Sequence, residues 1–432
     1  MTAPQTLAQK LVARAAGKTD VTPGEFVTCK VDLAMFHDSS GPRRLAPRLA
    51  QLNAHIWDKR RVVLVTDHYV PASDDESRAI VQFTRDWART QALPHVYDSV
   101  GICHVVLPNQ GHLRPGLFCV GGDSHSPTGG AFGAYMFGIG ATEMLGVCVT
   151  GEIWLQVPHT ILLEWQGKLA ERVVAKDMML ALLGQLGMEG GQYQAVEFAG
   201  EAVRALSMQE RMTLCNMSAE LGAQTGLVAP DATTRAWLAA HPAPANTPPD
   251  ERAPNDALRD AHWQTEANAP LLAHHIFDAA ALAPQVARPH SPANAVAAAS
   301  EVNAPLDIAY IGACTGAKLD DLRMAASVLK GQRARTQLLV APASQADQAQ
   351  AVAEGIMQTL QDAGATILPN ACGACAGYGA HRFGEHARVI STTARNFKGR
   401  MGAASSQVWL ASPYTVAASA IAGRIIDPRE IA

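Results

Sequence analysis

Short apolar runs that each end in polar, chemistry-bearing side chains are what most constrain this chain. Arg61-Val-Val-Leu-Val-Thr66 is β-branched and apolar, like a parallel strand buried on both faces, and it ends at Asp67-His68. Leu117-Phe-Cys-Val-Gly-Gly122 leads in the same way into Asp123-Ser-His125, and Ile308-Ala-Tyr-Ile-Gly312 stops just short of Cys314. Helical signals lie between the runs. Residues 74–92 open with Asp and Glu in the first turn, Glu210–Gly222 reads as a helix after the strand-like Thr160–Trp165, and Asp320–Leu329 follows the third run. Strand and helix in alternation predict parallel α/β architecture, in which ligands sit at the carboxyl ends of strands.

At 432 residues the chain exceeds a usual single domain. Three segments are expected: an α/β domain over 1–158, a second over 159–300 and a third over 301–432. From about 232 to 305 the composition shifts towards Ala, Pro, His and Asn, including Pro242, Pro244, Pro248 and Pro249, and reads as a long, partly ordered connection. The sequence carries no internal repeat. Gly129 to Gly151 is rich in small residues but lacks the Gly-Lys-Ser/Thr of a phosphate loop, so a tightly packed helix beside a site is expected instead.

A net charge of −4 gives no broad attraction to nucleic acid or to an anionic membrane. The N-terminus is patterned like an amphipathic helix rather than a signal peptide, and no run of 18 apolar residues occurs. Of eight cysteines, Cys29, Cys103, Cys119, Cys148 and Cys215 stand singly among apolar neighbours and read as core thiols. Nothing suggests a disulfide framework, so a cytoplasmic location is expected.

The other three are different. Cys314 sits in Ile-Gly-Ala-Cys-Thr-Gly, and Cys372 and Cys375 in Ala-Cys-Gly-Ala-Cys-Ala-Gly. A lone Cys-x-x-Cys could be half a zinc site or a redox pair. A third cysteine on a Gly-flanked turn, with no fourth nearby, suggests instead a four-iron cluster with one iron left open as a Lewis acid.

Jointly, the motifs resemble the aconitase superfamily, and within it the 3-isopropylmalate dehydratase and homoaconitase-like large subunits. The matching pieces are Thr66-Asp-His-Tyr-Val-Pro71, Gly101-Ile-Cys-His104, Gly122-Asp-Ser-His125, Val196-Glu-Phe-Ala-Gly200 and Gly312-Ala-Cys-Thr315. They continue in Cys372-Gly-Ala-Cys375, Ser391–Arg400 and Leu410-Ala-Ser-Pro413, in the family's order across nearly the whole chain. The resemblance implies a three-domain α/β/α architecture around an iron–sulfur cluster. It also implies a hydro-lyase that interconverts 2- and 3-hydroxy diacids.

Such a reaction needs a metal for the hydroxyl, an acid for the leaving group, a base for the carbon-bound proton and cations for the carboxylates. By resemblance, Cys314, Cys372 and Cys375 hold a [4Fe-4S] cluster. Asp67 and His68 form a carboxylate–imidazole pair in which His68 protonates the departing hydroxyl. Asp123 with His104, and Glu197 with His125, form two further pairs. Arg395 and Arg400 bind substrate carboxylates, for which a guanidinium fork is suited, and His37 falls where relatives place a substrate-contacting polar residue.

The chain departs from its relatives in two places, with Gly316 and Ala394 where they usually have asparagines that support the cluster. Asp123-Ser-His-Ser also differs from the Asp-Ser-His-Thr common in leucine-pathway enzymes. No Gly-Ser-Ser-Arg-Glu-like loop of the family's swivelling domain occurs, so a separate small subunit is expected to supply the serine base in a heteromer. The substrate remains open among isopropylmalate, another substituted malate, citraconate, maleate and homocitrate. Of the competing classes, an RNA-binding cluster sensor is disfavoured by the net charge and the absence of a basic run. A cluster-free scaffold is disfavoured by the retained cysteines and histidines.

Overall fold

The computed structural model describes residues 3–248, 262–301, 304–378 and 381–431. Three sheets with parallel strands are wound by one rule. The first contains Leu33–His37, Val62–Thr66, His95–Asp98, Phe118–Gly121 and Tyr135–Gly138, all paired parallel. Numbered by appearance in the chain, its strands lie in the order 3-2-1-4-5. Connections leave the first and fourth strands in opposite directions, which opens a crevice at their carboxyl ends. Every residue of Leu33–His37 and of Val62–Thr66 is buried, as the unbroken apolar pattern requires.

The second sheet comprises Thr160–Gln166, Ala195–Ala199, Thr225–Val228 and Ala273–Asp278 in the order 3-2-1-4. The third has Ile308–Ile311, Gln337–Val340, Ala365–Ile367, Arg388–Ser391 and Gln407–Ala411, again in the order 3-2-1-4-5. A topological repeat is therefore present where the sequence shows none. Gln285–Ala287 and Ala295–Ala297 extend the third sheet antiparallel beside Gln407–Ala411, so this sheet reaches back across the expected boundary at residue 300.

Other expectations need adjusting. The helix expected over 210–222 runs Met208–Met217, started by Ser207, whose hydroxyl accepts from the Glu210 N–H. The expected connection over 232–305 holds a helix, Ala232–Ala240, and the strand Ala273–Asp278. That strand sits at a sheet edge and alternates half-buried with exposed residues, which is why composition concealed it. Residues 249–261 of the segment, Pro249 among them, lie outside the described residues. The glycine-rich stretch is not one helix; a 3₁₀ turn, Ser126–Phe132, precedes the strand Tyr135–Gly138 and the helix Ala141–Thr150. Among the described residues no helix is long and apolar enough to cross a membrane.

A continuous apolar core joins the three sheets, running from Leu33 and Met35 through Leu163 and Phe198 to Ile311 and Ile390. Gly130 shows how closely the parts approach: a Cβ there would lie 1.7 Å from the carbonyl oxygen of Gly226 on the second sheet. Only a hydrogen fits between backbones at that distance. Gly130→Ala should therefore lower stability by about 1–3 kcal/mol, the usual cost of overpacking; chemical denaturation with an unchanged midpoint would show that the two backbones can part freely.

Candidate active site

Residues from the first and third sheets line one cavity of about 380 Å³. From the first sheet come His37, directly at a strand end, His68, just beyond the next strand, and Asp123 and His125 beyond Phe118–Gly121. His104, on the short helix Cys103–Asn109, joins them. From the third sheet come Cys314, Cys372, Cys375, Arg395 and Arg400. The two switch-point crevices thus contribute to the same space.

The loop after Thr66 is tightly fixed. Asp38, fully buried, accepts from the N–H groups of His68 at 3.1 Å and Tyr69 at 2.8 Å. Asp67 spends one carboxylate oxygen on the Cys103 N–H at 2.8 Å and the other on His68 Nδ1 at 2.6 Å. That bond fixes the imidazole tautomer and leaves Nε2 for the cavity. Burial disfavours an imidazolium at His68, but the neighbouring Cys372 sulfur and the Asp67 carboxylate outweigh it and hold the pKa well above the ordinary value. Burial likewise opposes ionisation of Asp67, yet His68 overrides it and brings the pKa to about 2.

His37 stacks on His68 with ring centroids 3.9 Å apart and planes 7° from parallel. Burial, then the neighbouring His68, push its pKa down to about 4. Its Nε2 has no hydrogen-bond partner among the described residues and lies 3.7 Å from Asp123 Oδ2. His104 Nε2 meets Asp123 Oδ1 at 2.7 Å, so that expected pair is formed.

The pair expected between His125 and Glu197 is not formed. His125 Nε2 meets Glu220 Oε1 at 2.9 Å instead. Glu197 lies within its strand, not at the carboxyl end, and is not among the cavity-lining residues. Its Oε2 accepts from Thr265 Oγ1 at 2.5 Å, and burial raises its pKa to about 7. Glu220 also accepts from Arg395 Nε, and although burial opposes its charge, His125 and Arg395 bring its pKa to about 2. Arg395 donates as well to Ser124 Oγ at 3.0 Å, whereas Arg400 Nε is buried with no partner among the described residues.

Asn216 is a second residue that the sequence reading missed. Its amide donates to Cys314 Sγ at 3.2 Å and to Thr128 Oγ1 at 2.8 Å. A signal was present: Asn216 and Glu220 stand four apart, the spacing of one helix face, amid Leu214, Cys215 and Met217. A polar residue and a charged one in so apolar a run need buried partners.

The three cysteines are free thiols on the cavity wall. A single zinc ion with bonds of about 2.3 Å would draw its sulfurs to roughly 3.8 Å from one another. Among the described residues, the sets of ligating groups that converge within 4.8 Å are His37/Asp38/Asp67/His68 and His104/Asp123/His125. The thiols form no such set, and their wider spacing suits a larger polynuclear group better than one ion.

The aconitase family (aconitate hydratase) matches residues 9–423. The chain belongs to the aconitase family. Among its relatives is the 3-isopropylmalate dehydratase large subunit 1 of Methanopyrus kandleri, 40% identical over 98% of this chain and 99% of that protein. The 3-isopropylmalate dehydratase large subunits of Heliobacterium modesticaldum and Desulfatibacillum aliphaticivorans are 39% and 38% identical, each over 99% of both chains.

Exchanging each of the two buried glutamates for glutamine separates their roles. Glu197 keeps its proton to about pH 7 in the fold but only to its ordinary value of 4.5 when unfolded. Its contribution is therefore most favourable below pH 4.5 and is lost as pH rises to about 7. Glu197→Gln should raise stability at pH 8 by on the order of 1–3 kcal/mol and flatten the decline between pH 4.5 and 7. Glu220→Gln should instead destabilise the fold at neutral pH, because a depressed carboxyl stabilises only above its unfolded pKa. Thermal melts of both variants across pH 4–8 check this; equal behaviour would contradict the assignment of Glu220 as the ion-paired carboxylate.

Proposed function

We propose that this chain is the large subunit of a 3-isopropylmalate dehydratase-type hydro-lyase that removes water from, and returns it to, a hydroxy diacid in concert with a small subunit. The observation that carries this reading is one cavity lined by three free thiols, three carboxylate-paired imidazoles and three arginines, Arg44, Arg395 and Arg400. In it, Cys314, Cys372 and Cys375 hold a [4Fe-4S] cluster. When bound through three thiolates, such a cluster supplies a Lewis acid for the substrate's hydroxyl and one carboxylate.

The chain's own residues supply the rest. His68 holds a proton at Nε2 for the departing hydroxyl, and Asp67 steadies the imidazolium. Its raised pKa keeps that proton in place at neutral pH. His104 and His125, each anchored by a carboxylate, orient the water. Arg400, with an unpaired Nε, and Arg395 grip the distal carboxylate. His37 presents its unpartnered nitrogen beside Asp123 and orients the substrate.

The base for the carbon-bound proton is assigned to the small subunit, which accords with the "large subunit" in the relatives' names. Phe26, Trp154 and Tyr193, exposed by 66%, 70% and 63%, border a groove that shares Ile139 and Gly140 with the cavity. A subunit that completes the site would rest on this apolar border.

Anaerobic reconstitution followed by assay against a panel of alkylmalates, with and without the small subunit, tests the reading. The isolated chain should be nearly inactive and the pair active; full dehydratase activity from the chain alone would place the base within it and overturn the division of labour. Cys372→Ser should abolish iron and sulfide uptake while leaving the far-ultraviolet spectrum intact. His68→Asn should cut turnover by about 10²–10⁴-fold with cluster content unchanged, and an unaltered rate would remove His68 from proton transfer.

A further inference from the structure

Three lysine or arginine side chains are buried among the described residues: Lys176, Arg211 and Lys318. Arg211 is matched by Asp231 through bonds of 2.8 and 2.7 Å, and Lys318 by Asp321 at 2.7 Å. Lys176 has no carboxylate partner among the described residues. Its ammonium donates only to neutral oxygens: the Thr393 carbonyl at 2.6 Å, the Thr392 carbonyl at 3.0 Å and Thr315 Oγ1 at 3.3 Å. Asp177, next in sequence, turns to the backbone instead, accepting from the N–H groups of Gln285 at 2.8 Å and Val174 at 3.0 Å.

An ammonium with no counter-charge is expensive to bury. Its starting point, the first turn of the helix Ala175–Leu186, makes matters worse, since the helix dipole disfavours a cation there. The groups whose negative charge favours the ammonium are Glu220 and, once ionised, the sulfurs of Cys314 and Cys375, with Lys318 opposing. Glu220 is already engaged by His125 and Arg395. The thiols remain, and Lys176 binds the residue next to Cys314 together with the Thr392–Thr393 segment that leads to Arg395.

We infer that Lys176 is a positioning residue for the cysteine site: its buried ammonium is the counter-charge of the loaded thiolates and makes the bound group harder to lose and easier to reduce. The inference rests on the cluster reading above. Negative charge arriving at the thiolates on loading compensates the ammonium, whereas without it the same ammonium is a cost.

Lys176→Met removes the charge at similar length, so loaded and unloaded protein should respond in opposite ways. Unloaded K176M should melt at or above unloaded wild type. Reconstituted K176M should melt below reconstituted wild type, surrender iron to a chelator several-fold faster and have a more negative midpoint potential. Equal destabilisation of both states, a variant that does not fold even when unloaded, or an unshifted potential would reduce Lys176 to a hydrogen-bonding strut and overturn the inference. A wild-type chain that takes up no iron and sulfide would sink the cluster reading as well; a loaded wild type beside an unaltered variant would sink this inference alone.

Discussion

Glu220 is the interaction on which the site's assembly depends. It follows the helix Met208–Met217, which packs beside the second sheet, yet it holds His125 from the first sheet and Arg395 from the third. Three separately wound units are thereby fixed by a fully buried carboxylate. Such a group is stable only because the Arg395 guanidinium and the His125 ring are both there to hold it. Removing one partner of a buried ion pair typically costs about 3–5 kcal/mol, since the remaining charge is left without compensation. Hydrophobic burial explains why the sheets adhere; Glu220 explains why their strand ends meet in one register.

Much of this arrangement was legible in the sequence. The apolar runs identified the strands that carry His68, Asp123 and Cys314, because a strand buried on both faces leaves little freedom in composition. The Asp67–His68 and His104–Asp123 contacts followed from the family resemblance of their motifs, with Asp67, His68 and Asp123 just beyond strand ends and His104 on a short helix. Glu220 could not be read so easily. Glu197 sits in a recognisable motif, whereas Glu220 reaches the site only through tertiary packing of a helix that is buried nearly all round. The strand Ala273–Asp278 was hidden because an edge position needs only weak patterning. The repeat of strand order leaves no trace in residue identity, since it is a property of connections.

Gly316 and Ala394 acquire a structural account at one of the two positions. A Cβ at Gly316 would lie 2.1 Å from the Thr392 Cβ. Thr392 in turn uses its hydroxyl to bridge the end of Ile308–Ile311, accepting from the Gly312 N–H at 2.8 Å and donating to the Gly312 carbonyl at 2.9 Å. The space that an asparagine side chain would need is taken by a threonine that closes the crevice between neighbouring strands. Ala394 is buried, and nothing in the structure explains why it replaces a larger residue.

The common winding of the three sheets divides the molecule into regions of unequal freedom. Chemistry gathers at the carboxyl ends of the strands, so their opposite ends carry no duty beyond packing. Insertions and drift in length can accumulate there with little effect on the reaction. A one-residue change in the loop after Thr66 or after Gly121 would instead move an imidazole relative to the thiols. The same architecture that makes the far ends of the strands permissive makes the centre intolerant, and it does so in both sheets whose strand ends line the cavity.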